Sequence, residues 1–199
     1  TLAYFLSTQR DGVGLIRFDD EVRDYLPARY RPGHLRRLMI ALEQPIEGVA
    51  TDLARPLHRV AEIVTKRGLI VLISDLLAPI EPLETHLGYI RSRGQEVILF
   101  HVLDPAELSF DFDKPALFED AETGRQLYVD PEVIRRDYLD KFQRHIASVE
   151  ATCDKLGIDY ERCPTDRPLE LALFDFLSAR LARGSKGSRT GSRKTRVQA

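Results

Sequence analysis

Tryptophan is missing from these 199 residues, methionine occurs once and cysteine twice. Cys153 and Cys163 show no C-x-x-C spacing and are too few to staple a secreted scaffold. The reading they support is a reducing, cytoplasmic setting with both thiols buried or idle. No apolar stretch approaches the ~18 residues that a membrane helix needs. The opening TLAYFLSTQRDG has neither a basic region nor a cleavage pattern, so nothing visible directs the chain to a membrane. G-x-S-x-G, G-x-x-x-x-G-K-[ST] and G-x-G-x-x-G are also absent, which leaves serine hydrolase, P-loop NTPase and dinucleotide-binding readings without their motifs.

What is present is an ordinary soluble composition, 43% hydrophobic and 30% charged, with enough length for one domain and a sizeable core. The net charge of -2 conceals an asymmetry. From Arg183 onward, RGSKGSRTGSRKTRVQA holds six Lys or Arg and no acid, which leaves the preceding residues at -8. Such a tail cannot bury enough apolar surface to offset its ordering entropy, so residues 183–199 are expected to be disordered. A solubilising end is its plain role; weak contact with nucleic acid or an acidic partner is the alternative. Specific nucleic-acid binding is disfavoured, because the body is acidic and few aromatics interleave the tail charges.

Apolar runs of strand length alternate with stretches of helical period, which predicts an α/β fold: a mostly parallel sheet with helices on both faces. The predicted strands are residues 12–18, 21–27, 69–74, 96–103 and 157–163. Between them lie helical stripes: Leu35, Leu38, Met39 and Leu42; Leu53, Leu57, Val60 and Val64; Leu83, Leu87 and Ile90. A longer helix opens at Asp130-Pro131, runs through Tyr138, Phe142, Ile146, Val149, Cys153 and Leu156, and stops at Gly157. A final helix from about Pro168 is predicted to bury Leu169, Leu173, Phe174, Leu177 and Leu181. Residues 108–129 read as a hairpin excursion around EDAETGR.

Ligands of an open parallel sheet collect beyond the carboxyl ends of its strands, and three strands here end in acids: Asp19 and Asp20, Asp75, and Asp104. Asp104 before Pro105 reads as a cap or turn residue, and so do Asp19 and Asp20. Asp75 fits that role less well, because LLAPIEP after it is apolar and proline-punctuated and no helix begins at once for it to cap. Thr51 and Asp52 stand where a loop turns into the helix of Leu53 and Leu57. An N-cap is one reading of them. The other is a hydroxyl that converges with a carboxylate on one cleft, which suits a hard cation such as magnesium. The five histidines read as structural or surface residues: His34, His58, His86 and His145 on or beside helices, and His101 inside a strand.

The pieces VGLIRFDDEV, RGLIVLISDLL and FHVLDPAEL with LFEDAETGR closely resemble a bacterial family of von Willebrand factor A-like proteins, the one known as domain of unknown function 58. The resemblance spans residues 1–182. It implies a Rossmann-like von Willebrand A sheet with a metal-ion-dependent adhesion site, in which a D-x-S-x-S loop after the central first strand, a threonine and an aspartate hold Mg2+. By position the threonine is Thr51 and the aspartate Asp75. It also implies a non-catalytic protein-interaction module working beside a MoxR-type AAA+ ATPase in the assembly or remodelling of complexes.

One departure stands out: no D-x-S-x-S occurs, and TLAYFLSTQ matches the helix that follows that loop. By this resemblance the first strand is missing between GLIRF and LIVLIS. A closed-up sheet, a gap or weak folding is then expected, with poor divalent affinity from Thr51 and Asp75 alone. The rival reading is a metal-dependent, phosphatase-like hydrolase using Asp75 and Asp104, which would still need a nucleophile and a cation.

Overall fold

The computed structural model describes residues 1–45, 53–120, 124–168, 170, 173 and 174. The chain opens with helix α1 (Leu2–Thr8), followed by strands β1 (Val13–Phe18) and β2 (Val22–Arg29) and helix α2 (His34–Leu42). β1 and β2 form an antiparallel ladder with a bulge between Val13 and Leu15. Gly14 lies in that bulge, where a Cβ would come within 2.8 Å of the Ala28 nitrogen, so only glycine permits the approach. His34, buried at the start of α2, ties the helix to β1 through Nε2 and the Val13 carbonyl oxygen at 2.7 Å.

Helix α3 (Ala54–Ile63) leads to strand β3 (Leu69–Ser74), helix α4 (Ile80–Ser92) and strand β4 (Glu96–Leu103). After the short helix α5 (Pro105–Ser109) comes a hairpin of β5 (Ala116–Glu119) and β6 (Gln126–Val129), then helix α6 (Pro131–Leu156) and strand β7 (Asp159–Pro164). β3, β4 and β7 make a parallel three-stranded sheet with β4 in the middle. Period-2 alternation sorts the side chains. Leu72, Val97 and Leu99 join Leu53, Leu57, Val60, Leu83, Leu87, Ile90, Val149 and Cys153 of α3, α4 and α6 in one buried cluster. Ile98 and Phe100 point to the other face, where Val71, Cys163 and Leu173 pack against them.

The base of this sheet is closed by Gln95, whose amide donates to the Val64 and Lys66 carbonyl oxygens at 3.2 and 2.8 Å and accepts from the Gly68 nitrogen at 2.9 Å. Asp130 caps α6, accepting from the Glu132 nitrogen at 3.1 Å, and Gly157 ends it in the left-handed conformation at φ 63°. Cys153 is fully buried, and burial pushes its thiol up to about 12. Among the described residues no helix is long and apolar enough to cross a membrane.

The strand and helix periods therefore place the elements as read from the sequence, with four differences. First, the β-structure is not one mostly parallel sheet: β1 and β2 form their own antiparallel ladder, and no ladder joins β1 to β3 among the described residues. Among the described residues β3 is an edge strand of the parallel sheet, with Leu69 and Ile73 exposed. Second, in α2 only Leu38 of the predicted stripe is buried, while Met39 and Leu42 face solvent. Third, Phe174 is 68% exposed rather than core; its neighbours in the predicted stripe, Leu169, Leu177 and Leu181, lie outside the described residues. Fourth, α5 was not anticipated as a helix. The predicted tail, residues 183–199, also lies outside the described residues.

Candidate functional site at the carboxyl end of β3

At the end of β3 the chain makes a tight turn. The Ser74 hydroxyl oxygen accepts from the Leu76 nitrogen at 3.1 Å, and Asp75 Oδ1 accepts from the Leu77 nitrogen at 3.4 Å. Short polar side chains bonding to amides two residues ahead account for why the apolar strand gives way to Ser-Asp here. Leu76 follows with φ 55°, a left-handed conformation costing a branched residue about 1–2 kcal/mol. It is held there by complete burial of its side chain in the core cluster of α3, α4 and α6.

Two histidines from elsewhere in the fold grip the turn's carbonyls. His101 of β4 lies 2.8 Å from the Asp75 carbonyl oxygen through Nε2, and His145 of α6 lies 2.9 Å from that of Leu76. A carbonyl only accepts, so His101 carries its proton on Nε2, leaving Nδ1 to take the Tyr160 hydroxyl hydrogen at 2.9 Å. His101 is wholly buried, and burial moves its pKa below the ordinary 6.5, which favours this neutral form. Burial likewise pushes Tyr160 up to about 12. The chain from Tyr160 through His101 to the backbone of Asp75 fixes where the Asp75 carboxylate starts.

That carboxylate is exposed, and its one described partner, the Leu77 amide, is at the long limit of a hydrogen bond. No helix begins for it to cap, since α4 starts at Ile80 after Pro79. Asp104 differs. Its Oδ1 accepts from the Ala106 nitrogen at 2.7 Å while Glu107 reaches back to its amide at 3.3 Å, a reciprocal capping box that opens α5. Asp19 accepts from the Glu21 nitrogen and from Arg23 Nε at 2.7 Å, and Asp20 pairs with the same arginine at 2.8 Å. Arg23 holds the Asp19 carboxyl far below the usual carboxylate range. The sequence placed these acids at one rim together with Asp75; the structure commits Asp19, Asp20 and Asp104 to local caps and pairs.

Thr51 and Asp52 lie outside the described residues, so their predicted meeting with Asp75 is not among the described contacts. The nearest described neighbour, Leu53, belongs to the same buried cluster as Leu76. Among the described residues no group of three His, Cys, Asp or Glu side chains stands ready to hold a metal. The rim offers oxygen donors, the Asp75 carboxylate and the Ser74 hydroxyl, which suit a hard cation in kind. In number they leave most of an octahedral shell to water. Sequence reasoning did not single out Tyr160 or the two histidine-carbonyl contacts. The one available signal was a histidine in an otherwise apolar strand, EVILFHVL.

A family model described as "Protein of unknown function DUF58" matches residues 1–148. A Mycobacterium avium protein described as "Uncharacterized protein MAV169" is 31% identical over 148 residues, covering 73% of this chain and 85% of that protein. "Uncharacterized protein Mb1516" of Mycobacterium bovis and "Uncharacterized protein Rv1480" of Mycobacterium tuberculosis are each 30% identical over 160 residues, covering 78% of this chain. The matched region spans 50% of each of the latter two proteins. No solved structure matches the chain.

Proposed function

The chain belongs to the family described as protein of unknown function DUF58, and from that membership we propose a von Willebrand A-like interaction module that engages a partner protein through the rim at Asp75. The observation that carries this reading is the exposed Asp75 carboxylate, set beyond a parallel strand and committed to neither a cation nor a helix cap among the described residues. Asp75 and Thr51 would hold a magnesium ion, with water completing its shell. Bound there, the metal supplies a positive centre for an acidic side chain of the partner. The chain's own part is to keep the Asp75 turn rigid, which His101 and His145 do by holding consecutive carbonyls. With so few protein oxygens, the affinity of this chain for magnesium is weak.

The partner class we favour is a MoxR-type AAA+ ATPase, with remodelling of complexes as the setting; this rests on the family resemblance and not on chemistry in these residues. The test is calorimetric titration of magnesium, and then of such an ATPase, into the natural full-length protein and its Asp75→Ala variant. Binding by the first and loss in the second supports the reading; equal binding by both removes it. The hydrolase alternative, with Asp75 and Asp104 as metal-bound carboxylates, has less support, because Asp104 is engaged in the α5 cap. A screen of phosphatase and esterase substrates separates the two classes: turnover abolished by Asp75→Asn would establish the enzyme.

A further inference from the structure

Helix α2 runs against its own electrostatics. Its N-cap is Gly33, which offers no side chain to the first amides, and no acid stands in its first turn. Instead Arg36 and Arg37 occupy the third and fourth helical positions, where the helix dipole is positive and cations are unfavourable. Arg29 and Arg31 come just before, and no acidic residue occurs from Tyr25 to Leu42. All four arginines are exposed, and none is in an ion pair with another described residue. The body around them is acidic, so the cluster also opposes the overall charge. Violations of a local rule that nothing inside the fold repays mark functional surface.

Apolar groups share this surface. The outward side chains include Tyr25 at 48%, Tyr30 at 55%, Met39 at 51% and Ile40 at 48% exposure. Tyr25, Leu26, Arg37, Ile40, Ala41 and Gln44 line one shallow groove between β2 and α2. Asp24, at the groove's end, is already neutralised by Arg17 at 2.6 Å, so the groove's free charge is positive. Pro27 within β2 lacks an N–H, which disfavours extension of the ladder and leaves recognition to side chains.

We propose that this groove binds a short acidic segment of another protein, with an apolar side chain between Tyr25 and Ile40 and carboxylates on Arg36 and Arg37. The guanidinium fork matches a carboxylate in two-point geometry. Aliphatic Met39 and Ile40 beside it suit leucine-like side chains; stacking of bases on the exposed Tyr25 and Tyr30 is the competing use of the surface, which the RNA arm of the test addresses. This site is independent of the Asp75 rim, and chelators do not affect it.

Fluorescence anisotropy tests it with a labelled peptide of alternating Glu and Leu, a Lys-Leu control, an RNA oligonucleotide and anionic vesicles. The expected result is saturable, salt-sensitive and EDTA-insensitive binding of the Glu-Leu peptide alone, weakened at least ~10-fold in the Arg36→Gln/Arg37→Gln variant. A melting curve checks that this variant stays folded, and Ile40→Ser supplies a second, uncharged probe that also weakens binding. Equal binding by both variants and the parent overturns the proposal, as does tighter binding of RNA or vesicles than of peptide. Concentration-dependent self-association that blocks the peptide does so too, since it would assign the groove to a second copy.

Discussion

His101 Nε2 meets the carbonyl oxygen of Asp75 across a 2.8 Å hydrogen bond, so the exposed acid at the end of β3 is aimed by a fully buried ring from the neighbouring strand. Ser74 pairs in register with His101, which puts the ring directly beside the turn it steadies. Loss of the ring strips the Asp75 carbonyl of this donor and leaves the half-buried Tyr160 hydroxyl with Arg162 alone. His101→Phe is therefore expected to destabilise the fold by about 1–3 kcal/mol, as read by urea denaturation. His101→Gln, which keeps a donor, recovers part of that loss.

The pH dependence of stability follows from the same ring. Burial depresses the folded-state pKa of His101 below its ordinary 6.5, so its contribution is present above that value. It is lost as pH falls through the lower folded value, because the unfolded chain then binds the proton more readily. A second decline begins below 3.8, the ordinary value for Asp19, whose carboxyl Arg23 holds far lower. Denaturation across pH should show both steps, and His101→Gln should remove only the first.

Leu76 offers a test in which side-chain size and backbone strain oppose each other. Truncation to alanine loses a fully buried side chain, a cost of about 2–5 kcal/mol, and keeps the left-handed strain at φ 55°. Leu76→Gly loses slightly more packing but removes the strain. The glycine variant should be the more stable of the two by about 1 kcal/mol in parallel urea titrations, reversing the order usual elsewhere in a chain.

Replacement of Arg36 by glutamate puts an acid in the first turn of α2 and creates the third-position partner of a capping box. Thermal melting should show a gain of about 0.3–1 kcal/mol. A stabilising change at a position already occupied by arginine would mean the native residue is kept for something other than the fold.

The two acids that end β3 and β4 should separate cleanly. Asp104→Ala removes the α5 cap and should cost about 1 kcal/mol, with divalent binding unchanged. Asp75→Ala, at an exposed carboxylate with one long contact, should stay within about 0.5 kcal/mol of the parent and lose the divalent ion.

Much of this arrangement was legible in the residue pattern. LIVLIS and EVILFHVL read as strands and are strands, EVILFHVL buried at the centre of the sheet, and Leu83, Leu87 and Ile90 repeat at the helical spacing of a helix that covers it. The poor fit of Asp75 to a capping role was visible in the prolines that follow it, and the capping role of Asp104 in the Pro105 that opens α5. Tertiary contacts were not legible. That His101 and His145 converge on adjacent carbonyls depends on sheet register and helix placement, which no local period encodes. The stripe of α2 misled because periodicity reports that one face is apolar, not that anything lies against it; Met39 and Leu42 remain at the surface.

The most direct test of the Asp75 rim is broadening of backbone amide NMR signals by trace Mn2+, which detects weak sites that calorimetry misses. The account predicts selective broadening around residues 74–77 and around Thr51 in the parent, and none there in Asp75→Ala. Broadening centred elsewhere, or unchanged by that substitution, would contradict it.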